Sequence, residues 1–301
     1  MAASVSHLLP GAELKRLSAP SDARGAARLA IHLLLIFALG WATLAAPPAL
    51  LVPAMLALGL VQVALFAPVH ETMHLTAFAS RRANQVVGWL AGSPGLLNWH
   101  FYAAFHLAHH RHTQDPAQDP ERTPPAPGTL KDYVLRVSGV NYWRFRLKNI
   151  VDAWRGDLTA YPYVAAKDHD RIIASRRWMS VLVLALAIGS GVAFGWWVPV
   201  VLWIGPQVLA QPFLRLYLLT EHTGCAEASN GLTNTRTTLT NPVVRLLMWN
   251  MSFHAEHHLF PSIPFHRLAD AHRALRDRLQ VIQPGYASWH AAYLKGFLAR
   301  S

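Results

Sequence analysis

The sequence contains one cysteine, Cys225, and a small share of charged residues. A single thiol forms no intramolecular disulfide and builds no metal site of several thiolates. Asp, Glu, Lys and Arg make up 14% of the chain, whereas soluble domains average about 25%. No basic motif interleaved with aromatic residues is present, so the sequence does not favour nucleic-acid binding. Residues 1–28 lack the short apolar core and small-residue site of a cleavable signal.

Charged residues are absent from two long runs. Residues 29–70 and 178–214 contain no Asp, Glu, Lys or Arg. Each run is about twice the ~20 residues that cross a bilayer, and each is interrupted near its middle, by Pro47-Pro48 or by the segment 195–199. Neither run has a charged face, which argues against a pair of buried soluble helices. We predict an all-α integral membrane protein with four transmembrane helices in two hairpins, at about 29–46, 49–70, 178–195 and 199–219.

The basic residues all lie outside these two runs, and the turns within them carry no charge. The positive-inside rule therefore predicts a multi-pass inner-membrane protein with both termini in the cytoplasm. In this interpretation residues 1–28 are a mobile cytoplasmic arm. Residues 29–301 form one domain, whose helical cytoplasmic cap comprises 71–177 and 220–301. The net charge of +11 then lies on one face, which favours anionic lipid headgroups or an acidic protein partner.

Two segments of the predicted cap leave alternatives open. Residues 83–105 are uncharged and long enough for a fifth span, but they contain several glycines, a proline and an asparagine. A fifth span would separate the histidines on either side of it, so we predict a dipping or interfacial segment instead. Residues 130–177 are basic and amphipathic, which is typical either of helices lying on the membrane or of an ordinary solvated cap.

Histidine recurs in three boxes: HETMH at residues 70–74, HLAHH at 106–110 and HAEHH at 254–258. Positions i, i+3 and i+4 share one face of a helix, so each HxxHH box can aim three imidazoles at one point. A lone histidine is usually a hydrogen-bonded polar residue, but eight at ligand spacing are too many for one metal and indicate two. Neutral imidazole suits iron, copper, nickel and zinc. An imidazole set without thiolates points to redox-active iron, because two irons can use O₂ to take hydrogen from an unactivated C–H bond.

The three boxes, placed between two hydrophobic hairpins, resemble those of the membrane fatty acid desaturase superfamily over roughly residues 30–280. HLAHHRHT, running into Asp119-Pro120-Glu121, resembles the second box of that superfamily, and HAEHHLFP resembles the third. The resemblance implies an O₂-dependent di-iron enzyme that introduces a double bond into a fatty acyl chain or a related lipid. It also implies eight iron ligands: His70, His74, His106, His109, His110, His254, His257 and His258.

Family members often take one further ligand from the end of the last transmembrane helix, where this chain has His222. We predict His222 as the ninth ligand, because it leaves its helix at a depth comparable to the first box. The rival, His112, lies about 200° around the helix from His110, which indicates a surface position or a hydrogen bond to a ligand ring. Other residues expected to orient ligand rings through hydrogen bonds are Glu71, Asp119 and Glu256.

Three alternatives to a desaturase stay open. The same superfamily includes lipid hydroxylases and carotenoid ketolases, which the boxes do not separate from desaturases. HETMH also satisfies the HExxH signature of zinc proteases, with His70 and His74 on the metal and Glu71 as general base. A metal carrier is the third alternative, although the spans lack the polar residues of a conduction path. For the enzyme, the substrate is expected from the bilayer and the electrons from a separate carrier, a ferredoxin or similar acidic redox protein, because no flavin or haem motif is present.

Overall fold

The structure is a computed structural model and describes residues 7–299. In that part the α-helices are α1 (Gly11–Leu17), α2 (Asp22–Leu44), α3 (Pro48–Val63), α4 (Phe66–Met73), α5 (Arg81–Gly92), α6 (Trp99–His112), α7 (Leu130–Val137), α8 (Val140–Arg155), α9 (His169–Phe194), α10 (Trp197–Pro199), α11 (Gly205–His222), α12 (Pro242–Leu247), α13 (His254–Leu259), α14 (Leu268–Leu275) and α15 (Tyr286–Leu298). Short 3-10 turns occupy Ser93–Gly95, Pro120–Arg122 and Ala166–Asp168, and a π-helical stretch occupies Val200–Ile204. Two strands, β1 (Thr237–Thr238) and β2 (Ile282–Gln283), pair in parallel.

Within residues 7–299, four stretches of helix are long and apolar enough to cross a membrane, which is the number that the sequence predicts. They are Asp22–Leu44, Pro48–Met73, Ala166–Phe194 and Trp197–His222. Each stretch passes beyond its charge-free run at one end, because backbone hydrogen bonds and caps set the end of a helix and hydropathy does not. At Asp22, for example, the side chain of Ser21 accepts a hydrogen bond from the backbone of Arg24 and starts α2 seven residues before the predicted boundary.

The outer faces of these four stretches carry large apolar side chains that the protein leaves uncovered. Phe37 and Trp41 on α2 are 73% and 69% exposed, and Val192 and Phe194 on α9 are 72% and 71% exposed. Soluble monomers rarely present contiguous apolar surface of this kind. The hydrocarbon of a bilayer would cover it.

The second and fourth spans pack against each other through a small residue. A side chain at Gly59 of α3 would meet the carbonyl oxygen of Pro206 at 2.1 Å and the side chain of Ala210 at 2.9 Å. The missing side chain therefore allows α3 and α11 to approach closely, as small residues do between membrane helices. This approach brings the end of α4 next to the end of α11.

Residues 81–112 form two helices and no span, as predicted. α5 ends in the 3-10 turn Ser93–Gly95, Leu96 adopts φ of +54°, and Asn98 then caps the start of α6. The reversal returns the chain towards α4. It places the second histidine box beside the first, which a fifth span would have prevented.

The interpretation of the first residues as a mobile arm is corrected for the described residues 7–17. Leu8, Leu9 and Leu17 are buried in one hydrophobic cluster with Phe253 and Leu259, which flank the third histidine box. Three leucines in a polar stretch supply enough apolar surface to hold this segment on the cap. Of the other residues of the predicted arm, 22–28 belong to α2, and 1–6 lie outside the described residues.

Candidate metal centre

The nine histidines predicted from the sequence converge on one place in the structure. They form two groups, within each of which the ring nitrogens lie no more than 4.8 Å apart: His70, His74, His106, His110 and His257 in the first group, and His109, His222 and His258 in the second. The ninth, His254, joins the second group, because its Nε2 lies 3.1 Å from Nε2 of His222. Four helices, α4, α6, α11 and α13, contribute these rings.

Each HxxHH box is divided between the two groups, which corrects the expectation that one box aims all its rings at one point. In α6, His106 and His110 belong to the first group, while His109 belongs to the second. In α13 the division is reversed, and His257 alone belongs to the first group. Positions i and i+4 lie nearly above one another, whereas position i+3 is offset to the side, so a single helix can serve two adjoining sites.

The spacing of the ring nitrogens fits metal coordination. Nε2 of His110 lies 3.0 Å from that of His106 and 3.1 Å from that of His257. In the second group, Nε2 of His222 lies 3.1 Å from that of His109. Neighbouring ligands at ~2.1 Å from an octahedral metal are ~3.0 Å apart, which matches these separations.

Several buried ring nitrogens lack any hydrogen-bond partner among the described residues. They are both nitrogens of His70, Nε2 of His74 and His258, and Nδ1 of His106 and His254. Buried polar atoms without partners are rare and costly in native proteins. A donor set of this kind fits two metal ions with all-imidazole coordination.

Most of these rings are held in the neutral form that binds metals. Burial, followed by the neighbouring imidazoles, lowers the pKa well below the usual histidine value for His74, His106, His110, His254, His257 and His258. The exception is His109, because burial lowers its pKa but Glu121 and Asp119 raise it more.

Asp119 orients His109, as predicted. Nδ1 of His109 donates to Oδ1 of Asp119 at 2.9 Å, which turns Nε2 of the ring towards the second group. The backbone N–H of Gln114 donates to Oδ2 of Asp119 at 2.8 Å, and that of Glu121 donates to Oδ1 at 2.9 Å. Burial raises the pKa of Asp119, but these hydrogen bonds and His109 outweigh burial and keep the pKa below the usual aspartate value. Asp119 is therefore an ionised acceptor of three hydrogen bonds.

The ring of His222 is held by the loop that follows α11. Its Nδ1 donates to the carbonyl oxygen of Asn234 at 3.1 Å, so Nε2 faces His109 and His254. The neighbouring Thr220 does not hold this ring, because its hydroxyl donates to the carbonyl oxygen of Tyr217 in its own helix. The loop was not expected to contribute, since a backbone carbonyl leaves no mark in the sequence.

Two of the acidic residues expected to orient ligand rings do something else. Oε1 of Glu71 accepts hydrogen bonds from the hydroxyl of Thr76 at 2.6 Å and from the backbone N–H of Phe265 at 2.9 Å. Glu256 accepts hydrogen bonds from His272 and from Thr237. Both carboxylates thus tie box segments to neighbouring parts of the cap, and sequence reasoning missed His272.

Two other carboxylates, Glu121 and Glu221, lie near box rings. Oε2 of Glu121 is 3.7 Å from Nε2 of His109, and Oε2 of Glu221 is 3.6 Å from Nε2 of His254. Glu121 belongs to the acidic turn Asp119-Pro120-Glu121 that follows the second box, and this turn is the feature of the sequence that indicates a carboxylate near the rings. Glu221 directly precedes His222.

A cleft of about 420 Å³ opens over the two groups, and box residues His110 and His258 line it. His112 lies on the wall of this cleft, which fits the surface position predicted for it. His7 and Leu8 of the N-terminal segment also line this cleft. The cleft is therefore a route by which small molecules can approach the histidines.

The zinc-protease alternative does not fit this geometry. Such a site needs two histidines, one further ligand and a glutamate beside the metal-bound water. Here His70 and His74 have three further imidazoles within ligand distance. The carboxylate of Glu71 is engaged by Thr76 and Phe265 instead.

Among the described residues, four membrane-length helices and two adjoining groups of imidazoles define the class as a membrane protein with a histidine cluster that could hold metal. The chain matches the sequence model of the fatty acid desaturase family over residues 45–290, and the protein belongs to that family. It is 29% identical over 273 residues to a beta-carotene ketolase of Paracoccus sp. (strain N81106 / MBIC 01143), with 87% of this chain and 95% of the ketolase covered. It is 27% identical over 303 residues to a dihydrorhizobitoxine desaturase of Bradyrhizobium elkanii, with 92% and 82% covered. The protein is thus an oxidoreductase of the superfamily of desaturases, hydroxylases and ketolases.

Proposed function

We propose that the protein binds two iron ions and uses O₂, with electrons from a separate carrier, to introduce a double bond into a fatty acyl chain or a related membrane lipid. The observation that carries this proposal is the convergence of nine imidazoles, without a thiolate, beside the ends of two membrane-length helices. The five rings of the first group would hold one iron. The four rings of the second group, which includes His254, would hold the other.

The bound irons would supply the activation of O₂ and the removal of hydrogen from a C–H bond. The protein holds the ligand rings for this task. Asp119 and the carbonyl of Asn234 each take the Nδ1 hydrogen of a second-group ring and leave Nε2 free for metal. Such partners fix the ring orientation and raise ligand basicity.

The partners follow from the surroundings of the site. Exposed apolar faces on the spans suit a lipid substrate that arrives from the bilayer. The excess of basic residues favours an acidic carrier such as a ferredoxin on the side of the histidines, which the positive-inside rule assigns to the cytoplasm. We therefore assign the protein to the inner membrane, with both termini and the histidine site on the cytoplasmic side.

A second candidate is ketolation or hydroxylation of a lipid, which the likeness to the beta-carotene ketolase favours. Both reactions begin with the same hydrogen abstraction. Desaturation then removes a hydrogen from the neighbouring carbon and forms the double bond, whereas hydroxylation or ketolation transfers oxygen to the carbon that lost the first hydrogen.

Expression in a host without related enzymes, under ¹⁸O₂, separates the two candidates. A lipid product that has lost two hydrogens and carries no label supports desaturation, and a labelled lipid supports ketolation or hydroxylation. Purified protein should contain two irons per chain. One zinc per chain with no lipid product would overturn the proposal in both forms.

A further inference from the structure

A narrow slot lies between two candidate membrane spans, Pro48–Met73 and Trp197–His222, and it is closed by α5 and the start of α8. Its free volume is about 20 Å³, which admits one oxygen-sized group. Most of its wall is apolar, yet it also contains the side chains of Gln62, Gln207, Gln211 and Tyr142. Three glutamines around one small space are unusual within membrane spans, where polar residues generally mark function.

The three amides are buried and incompletely paired. Gln62, Gln207 and Gln211 are 8%, 2% and 1% exposed. Nε2 of Gln62 donates a hydrogen bond to the carbonyl oxygen of Leu202 at 2.6 Å, so the NH₂ group of this amide has a partner. Its Oε1, together with Nε2 of Gln207 and Oε1 of Gln211, has no partner among the described residues. The residues that line the slot thus carry two unpaired acceptors and one unpaired donor, the complement of a hydroxyl group, which both donates and accepts.

Packing between helices does not account for these amides. A leucine of similar size would fill the same space between α3 and α11 without leaving unpaired polar atoms in a low-dielectric interior. Gln62 at least bridges to the π-helical stretch through Leu202, but the two glutamines of α11 have no such link.

The slot adjoins the first group of histidines across one layer of aromatic rings. Phe66 lines the slot, and its ring centroid lies 6.1 Å from that of His70 and 5.6 Å from that of Tyr102. Tyr102 stacks on His106 at 5.2 Å. A lipid that reaches past Phe66 would therefore place its end in the slot and a nearby carbon beside the histidines.

We propose that the slot is the terminal part of the substrate-binding site, and that Gln62, Gln207 and Gln211 bind a hydroxyl group on the membrane-buried end of the substrate. The proposal rests on the proposed function, and it narrows the substrate class to a lipid with a hydroxyl at that end. Only the oxygen occupies the slot, and the carbon skeleton takes the space that Phe66 leaves when its ring rotates.

Binding measured without turnover tests the proposal. The purified iron protein, kept without reductant, is titrated with two matched pairs of probes: octadecanoic acid against 18-hydroxyoctadecanoic acid, and a β-ring carotenoid hydrocarbon against its ring-hydroxylated form. At least one hydroxylated probe should bind about 3- to 10-fold more tightly than its partner, the effect of one or two net hydrogen bonds. Q207L and Q211L should abolish this preference. T43V, which removes a buried polar group from α2 away from the slot, should keep it.

Iron content and thermal stability are measured for every variant, and Q211M replaces Q211L if the latter does not fold. The proposal is overturned if the wild type prefers neither hydroxylated probe, or if the preference survives in the folded glutamine variants. If the preference is lost as expected but no lipid is oxidised in cells, the slot stands and the proposed reaction fails. If lipid is oxidised while no preference exists, only the slot proposal fails.

Discussion

Replacing Asp119 with asparagine should weaken metal binding at the second group of histidines by about 10- to 100-fold. Asp119 accepts three hydrogen bonds, from His109 and from the backbone of Gln114 and Glu121. An asparagine has one carbonyl oxygen and one NH₂ group, so it cannot accept on both sides. One of the buried donors would face another donor in the variant.

The size of the effect follows from the lost contact. A hydrogen bond to an ionised group contributes about 1.5–3 kcal/mol, which corresponds to a factor of roughly 10 to 150 in affinity. Residues that orient metal-bound histidines show losses of ~10- to 100-fold when they are mutated. Both ranges include a loss of about 10- to 100-fold in metal affinity.

The assay is competition for iron against a chelator of known affinity, combined with iron counts per chain and product formation. Asp115→Asn is the matched control, since Asp115 lies in the same loop and accepts from the backbone of Ala117 and Gln118 away from the histidines. It should keep wild-type affinity. If D119N binds iron as tightly as wild type, or if D115N loses as much, Asp119 does not act through His109.

Three further outcomes are expected. His222→Ala should lose iron and activity, because Nε2 of His222 lies 3.1 Å from Nε2 of both His109 and His254. His112→Ala should keep most of its iron and activity. The reverse pattern, measured by iron counting and product assay, would remove His222 from the ligand set. In a Cys225→Ser background, a cysteine at Ala49 should react with an impermeant thiol reagent only from outside the cytoplasm and one at Ala117 only from inside, and labelling of Ala117 from outside would invert the topology. Turnover with a ferredoxin should fall as salt rises, while turnover with a chemical reductant should not, and equal salt sensitivity would contradict electrostatic steering.

The membrane-spanning part of the fold could be predicted because the hydrocarbon core imposes both length and composition on a helix. The two charge-free runs therefore gave the right number of spans. The ends of the helices were missed, because caps such as Ser21 extend a helix through charged residues that hydropathy treats as boundaries. The packing of Leu17 was missed for a similar reason, since a short apolar set does not stand out in a polar stretch.

The convergence of the histidines could also be predicted, because spacing alone places i and i+4 rings on one side of a helix. Their division into two groups could not. It depends on how α6 and α13 cross, so that the i+3 ring of one helix joins the paired rings of the other. The hydrogen-bond partners of the rings also include one that the sequence predicts and one that it does not. Asp119 lies close in sequence to His109 and was found, while the carbonyl of Asn234 reaches His222 only through the fold.

The third box shows why spacing within a helix does not decide what each side chain does. α13 has six residues, too few to be stable alone, so tertiary contacts must fix its direction. Glu256 provides such contacts, because it sits between two box histidines in sequence yet bonds to Thr237 on β1 and to His272 on α14. Its carboxylate points away from the metal groups, and His254, His257 and His258 occupy the sides of the helix that face them. The position of the strand pair and of α14 therefore determines where the third box aims, and the cap acts as the support that aligns it.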